Sequence, residues 1–129
     1  CHDPTQGDRQ GNDQGSQYRS AIYTSTSRQM ELALASRDWY QQALTQAERD
    51  SITTEIAADR TFHFAETYHQ QYLARPGSRP YCSAMPTGIS LGAFEGCDYR
   101  LPPQVWSHYD WSISHCVLRG DNSPIQLQA

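Results

Sequence analysis

Side chains that can donate or accept protons, Asp3, Arg9, Asp13, Tyr18 and Arg19 among them, crowd the first 19 residues of this 129-residue chain. The stretch that carries them has almost no aliphatic side chain, so it cannot serve as a core element. Glycines at 7, 11 and 15 let its backbone take positive φ or approach a ligand closely. The chemistry on offer is hydrogen bonding and proton donation to a bound polar group. A phosphate cradle is not indicated, because neither Gly-Lys-Ser/Thr nor a Gly-x-Gly-x-x-Gly following a strand is present. On composition alone a solvated Gly/Gln-rich connector fits the stretch equally well.

The elements that must position these groups follow at once. Ile22, Tyr23 and Thr24 are β-branched or aromatic and predict a strand over residues 18–24. The opening stretch is then a polar loop delivered onto a strand, the usual place for working residues on a rigid scaffold. Thr26-Ser27-Arg28-Gln29 has the form of a capping box. Met30, Ala33, Leu34, Arg37, Tyr40, Leu44 and Ala47 then keep helical spacing, predicting an amphipathic helix over 27–48 whose stripe packs on a core. Ile52-Thr53-Thr54-Glu55-Ile56 alternates as a strand with Ile52 and Ile56 inward, and Thr61-Phe62-His63-Phe64 is a second short alternating run. Ala65 to Leu73 reads as a helix stopped by Pro76-Gly77. Strand, helix and strand in succession point to an α+β or α/β layer.

Beyond about residue 75 the periodicity disappears. Five of the seven prolines lie between 76 and 103, with Gly88, Gly92 and Gly96 interleaved, which predicts an extended, wrapping tail. Pro102-Pro103-Gln104-Val105-Trp106 can open a short helix, and Trp106, Tyr109 and Trp111 are expected to anchor the tail. The apolar fraction of 37% is short of the roughly 45–50% usual for a soluble domain. The chain therefore reads as one globular piece poor in core. Net charge is −4 and every positive charge is arginine, with no basic stripe to attract nucleic acid. No apolar run approaches the ~20 residues a membrane span needs. The chain begins at Cys1 and is expected to be processed or a fragment.

Other reactive groups are scattered. His63 and His69 are off the spacing that puts two ligands on one helix face, and His108, His115, Cys97 and Cys116 lack C-x-x-C or H-x-x-x-H spacing, so no metal is expected. No Gly-x-Ser-x-Gly elbow supports a hydrolase. Glu55 and Glu66 are read as surface or cap carboxylates. The four cysteines, Cys1, Cys82, Cys97 and Cys116, would permit two disulfides in a secreted protein, but no targeting segment supports that, and scattered thiols in a cytosolic protein more often mean buried or redox cysteines.

Several blocks together carry a resemblance. His2-Asp3-Pro4-Thr5-Gln6, Arg9-Gln10-Gly11-Asn12-Asp13 and Gln17-Tyr18-Arg19-Ser20-Ala21-Ile22-Tyr23 are very similar to the signature of the A-type peptide methionine sulfoxide reductases. Ile52 to Ile56 matches a further block. Ala65-Glu66-Thr67-Tyr68-His69-Gln70-Gln71-Tyr72-Leu73 resembles the family's A-E-x-Y-H-Q-Q-Y-L, and Tyr81-Cys82 its Y-C. The resemblance covers residues 1–90, leaving 91–129 as an irregular extension wrapping that domain. It implies a two-layer sheet-and-helix plait with a ferredoxin-like core, N-terminally incomplete here. It also implies a monomeric cytoplasmic enzyme of protein repair under oxidative stress, reducing the S-epimer of methionine sulfoxide, in proteins and as the free amino acid. No metal or organic cofactor is implied, and thioredoxin is the electron donor.

By the same resemblance Tyr18 donates to the sulfoxide oxygen, Asp13 builds the polar side of the pocket, and Cys82 is a resolving cysteine. Two departures qualify this. The family's nucleophilic cysteine sits in a G-C-F-W-G block that these residues do not contain, and Cys1 has none of that context. Many relatives also carry a further cysteine shortly after the Y-C pair, where this chain has Ser90 and Leu91; Cys97 is the available substitute. Two function classes follow: a reductase whose nucleophile lies in other sequence, or an inactive remnant or binding module for oxidised methionine.

Overall fold

In the computed structural model, residues 2–70, 72, 77, 84–100 and 102–107 are described. Expectations placed on Cys1, Gln71, Leu73, Tyr81, Cys82, His108, Tyr109, Trp111, His115 and Cys116 lie outside the described residues.

The long helix starts where the capping residues put it. Thr26 is extended, its hydroxyl accepts from the Gln29 amide at 3.1 Å, and the Gln29 side chain accepts in return from the Ser25 amide at 2.8 Å. Two otherwise orphaned donors are thereby satisfied. Helix α1 runs Ser27–Gln46. It stops slightly before the expected end because Glu48 turns left-handed at φ 55°, and the Glu48 and Arg49 amides fold back to the Thr45 and Leu44 carbonyls. This is the double closure usually built on glycine. Ala33 and Leu44 are the buried apolar side chains of the stripe, whereas Ala47 at its end is exposed.

Strands β3 (Ala21–Thr24) and β4 (Glu55–Ala58) pair in parallel, Ala21 opposite Glu55 and Thr24 opposite Ala58, with α1 as the crossover between them. A parallel pair needs such a crossover, so the strand–helix–strand reading holds in architecture. Both strands begin three residues later than expected, at Ala21 instead of 18 and at Glu55 instead of 52. Before β3, Ser16–Tyr18 closes a 3₁₀ turn, with the Tyr18 amide on the Gly15 carbonyl at 3.0 Å. Before β4, the amides of Ile52 and Thr53 are taken by the Gln41 side chain at 2.7 Å and the Pro4 carbonyl at 2.8 Å. Alternation is present in the sequence, but those donors serve the helix and the opening loop instead of a ladder.

The opening loop contains a small hairpin that composition does not announce. β1 (Arg9–Gln10) and β2 (Asp13–Gln14) pair antiparallel across Gly11-Asn12. Gly11 sits at φ 57°, the positive value a two-residue hairpin turn requires at its first central position. The described residues thus form an α+β arrangement of two two-stranded sheets and one long helix.

Residues Cys1–Thr61 with Ser83–Asp98 make one compact unit, and Phe62–Cys82 with Tyr99–Ala129 a second. The run Thr61–Phe64 forms no strand; Phe62 and Phe64, in the second unit, are 77% and 83% exposed and meet edge to face at 5.1 Å. Of the helix expected from Ala65, the described residues show a turn with the His69 and Gln70 amides on the Glu66 carbonyl, and Tyr72 in 3₁₀ conformation. Every described residue from 65 to 72 is exposed. Helix α2 (Pro103–Trp106) opens on proline as the sequence indicates.

Candidate functional site

Asp13, Tyr18 and the opening loop that carries them lie in the first unit. The frame begins at Asp3, whose carboxylate accepts from the Thr5 amide at 2.9 Å, the Thr5 hydroxyl at 2.7 Å and the Gln6 side chain at 3.3 Å. Partial burial pushes the Asp3 pKa up, but the bonds from Thr5 and Gln6 outweigh it and leave the carboxyl below its usual range. The loop is then tied crosswise. Gln10 donates to the Asp3 carbonyl at 2.8 Å, the Gly11 amide donates to the Gln6 side chain at 2.8 Å, and the Gly7 amide donates to Thr53 Oγ1 at 2.9 Å. A sequence that reads as a solvated connector is therefore an ordered scaffold, because Gln and Asp side chains replace the missing backbone partners.

Asp13 opens β2 and is half-buried; Tyr18 ends the 3₁₀ turn and is 40% exposed. Gly15 connects them in a conformation (φ 135°, ψ 156°) that side-chain-bearing residues essentially avoid, while its amide donates to the Asp8 carbonyl at 2.8 Å. The backbone path between these two residues thus runs through a conformation only glycine takes readily. Cys82, the third expected site residue, lies outside the described residues. Cys97 is a free, exposed thiol.

Glu55, read from the sequence as a surface or cap carboxylate, lies at the surface as expected and there gathers three hydrogen-bond donors. Its Oε2 accepts from Arg19 Nε at 3.1 Å and from the Tyr23 hydroxyl at 3.0 Å, and its Oε1 from Arg60 at 3.2 Å. The hydrogen bonds from Arg19, then Tyr23, hold the Glu55 carboxyl below its ordinary value. Arg19 in turn reaches the Ser16 carbonyl at 2.7 Å and the Tyr23 hydroxyl at 3.3 Å. Spacing in the sequence gives no hint that Glu55 answers Arg19, since register across a parallel pair brings them together.

A cavity of about 540 Å³ opens elsewhere in the same unit, between β3, β4, α1 and residues 86–91. Ile22, Ile56 and Ile89 give it apolar walls; His2, Arg37 and Tyr40 add polar groups, and neither Asp13 nor Tyr18 lines it. His2 Nε2 lies 2.7 Å from Ser20 Oγ, which is 2.8 Å from Thr54 Oγ1. Burial lowers the His2 pKa and favours the neutral ring. Among the described residues the Asp3 carboxylate accepts from Thr5 and Gln6, and the His2–Ser20–Thr54 chain links the imidazole to two hydroxyls. It acts as a tether of the opening loop to β3 and the start of β4. Among the described residues no three His, Cys, Asp or Glu side chains gather to hold a metal ion.

The frame that presents Asp13 and Tyr18 lies within a stretch shared with known proteins. The family described as Peptide methionine sulfoxide reductase matches residues 1–91, and the chain belongs to that family. It is 58% identical over 88 residues to "Peptide methionine sulfoxide reductase MsrA" of Vibrio cholerae, covering 68% of this chain and 41% of that protein. It is 53% identical over 102 residues to the MsrA of Methylococcus capsulatus, covering 79% of this chain and 46% of the relative. To the human "Mitochondrial peptide methionine sulfoxide reductase" it is 53% identical over 89 residues, covering 69% and 37%. The matched stretch thus spans less than half the length of these relatives.

Proposed function

We propose that this chain supplies the sulfoxide-binding side of a peptide-methionine (S)-S-oxide reductase. The observation that carries the reading is the family match over residues 1–91, which contains both Asp13 and Tyr18. In this reading Tyr18 donates to the sulfoxide oxygen and Asp13 shapes the polar wall. A cysteine thiolate from a G-C-F-W-G segment, absent from these 129 residues, attacks the sulfoxide sulfur. The S–O bond breaks, methionine leaves as the thioether, and the protonated oxygen stays on the cysteine as a sulfenic acid. Cys82 then attacks that sulfur, water departs, and the resulting disulfide is reduced by the dithiol of thioredoxin.

The same reading makes the β3–β4 pair part of a wider plait, with residues 91–129 as an extension, in a monomeric cytoplasmic protein. The test is thioredoxin-coupled reduction of S-epimer methionine sulfoxide by the 129-residue chain, alone and with a segment carrying G-C-F-W-G. The expected result is no turnover alone and turnover with the segment, abolished by Tyr18→Phe with Asp13→Asn. Turnover by the chain alone that depends on Cys1 would overturn the proposal. Sulfoxide binding without turnover in either arrangement would favour the binding-module alternative.

A further inference from the structure

We propose that Arg19 and Glu55 are positioning residues for Tyr18: a guanidinium staple that fixes the turn presenting its hydroxyl. This rests on the sulfoxide-binding role given to Tyr18 above. The sequence places Arg19 next to Tyr18 but leaves Glu55 on a separate strand, 36 residues away.

All three guanidinium nitrogens of Arg19 are engaged. Nε donates to Glu55 Oε2 at 3.1 Å, one terminal nitrogen to the Ser16 carbonyl at 2.7 Å, and the other to the Tyr23 hydroxyl at 3.3 Å. Ser16 is the first residue of the 3₁₀ turn that ends in Tyr18, and the same carbonyl also accepts the Arg19 amide at 3.2 Å. One carbonyl thus closes the turn by backbone and by side chain together. At the other end, Glu55 is the first residue of β4, where its own amide donates to the Ser20 carbonyl at 3.0 Å, so the anchor belongs to the sheet. The Tyr23 hydroxyl completes a ring by donating to Glu55 Oε2, and Arg60 occupies Oε1.

A short 3₁₀ turn with an exposed aromatic at its end has little intrinsic rigidity. A hydrogen-bond donor aimed at an oxygen gains effect when it is held in place beforehand. The staple supplies that hold from outside the turn. Only arginine fits, because its planar fork addresses three acceptors in fixed directions while a lysine ammonium is a single point on a flexible stem.

The test uses the 129-residue chain with N-acetyl-methionine sulfoxide amide as probe, following the Tyr18 ring by NMR. Arg19→Lys and Glu55→Gln should each weaken probe binding roughly three- to tenfold, the range one net hydrogen bond is worth. Leu44 methyl signals should stay in place, and Glu31→Gln, which breaks an ion pair on α1, should bind as wild type does. Wild-type affinity in Arg19→Lys would overturn the proposal. A second measurement needs no variant. The groups facing Glu55 are Arg19, Tyr23 and Arg60, and acid protonation of Glu55 should release the staple, leaving an inflection in the Tyr18 ring shift. Absence of that inflection would also overturn it. If the wild-type Tyr18 ring does not respond to the probe while the acid inflection is present, the sulfoxide role of Tyr18 fails and takes the positioning role with it.

Discussion

Replacing Gly15 by alanine separates two physical effects at one position. At φ 135° and ψ 156° the backbone lies in a region that is essentially glycine-only, with a cost of order 1–3 kcal/mol for other residues. An added Cβ would also run into the Gln17 side chain. That second effect is the smaller, because the atoms met are the far end of a flexible side chain, and moving it off its rotamer costs about 0.5–1.5 kcal/mol at most. Backbone strain should therefore dominate, and Gly15→Ala should destabilise by about 1–3 kcal/mol, while Gln17→Ala added on top should restore little. Urea unfolding followed by circular dichroism measures the global loss, and exchange of the Gly15 amide, bonded to the Asp8 carbonyl, reads local release of the loop. Gly7→Ala is the comparison, since its φ is also positive at 64° but nothing lies within 4 Å of the added carbon. Full rescue of Gly15→Ala by Gln17→Ala, with amide exchange restored, would refute the strain account.

Three further outcomes are expected. Leu44→Ala should cost about 2–5 kcal/mol in thermal or urea unfolding, because Leu44 is the fully buried large side chain among the described residues; a loss under 1 kcal/mol would mean the core closes over the gap. Tyr40→Phe should loosen residues 84–91, since the Tyr40 hydroxyl is bonded to Thr87 Oγ1 and to the Ile89 carbonyl at 3.0 Å; faster limited proteolysis there is the readout, and an unchanged pattern would refute it. Stability should also depend on pH with a definite sign. His2, Asp3 and Glu55 all have folded pKa values below their ordinary ones of 6.5, 3.8 and 4.5, so each contributes above its unfolded value and loses that contribution as pH falls through the folded one. Denaturation midpoints should hold above pH 6.5, drop as His2 is forced to charge, and drop again as the carboxylates protonate; His2→Gln should remove the first step, and its persistence would rule His2 out as the cause.

Much of the chain is legible from local chemistry. Thr26 and Gln29 mark the start of α1 because capping is decided within four residues, and the period of the stripe from Met30 to Leu44 follows from the helix repeat alone. The blocks around Asp13 and Tyr18 carry the family, since identity of residues and spacing needs no coordinates. What sequence could not decide is where hydrogen bonds go when several partners compete. Ile52 and Thr53 alternate like a strand, yet their amides are claimed by Gln41 and Pro4, partners from distant parts of the chain. Arg19 and Glu55 look like ordinary surface charges until parallel register sets them side by side. Local propensity acts over a few residues, whereas register and cross-loop bonding depend on which distant segments meet, and only the folded arrangement chooses among them.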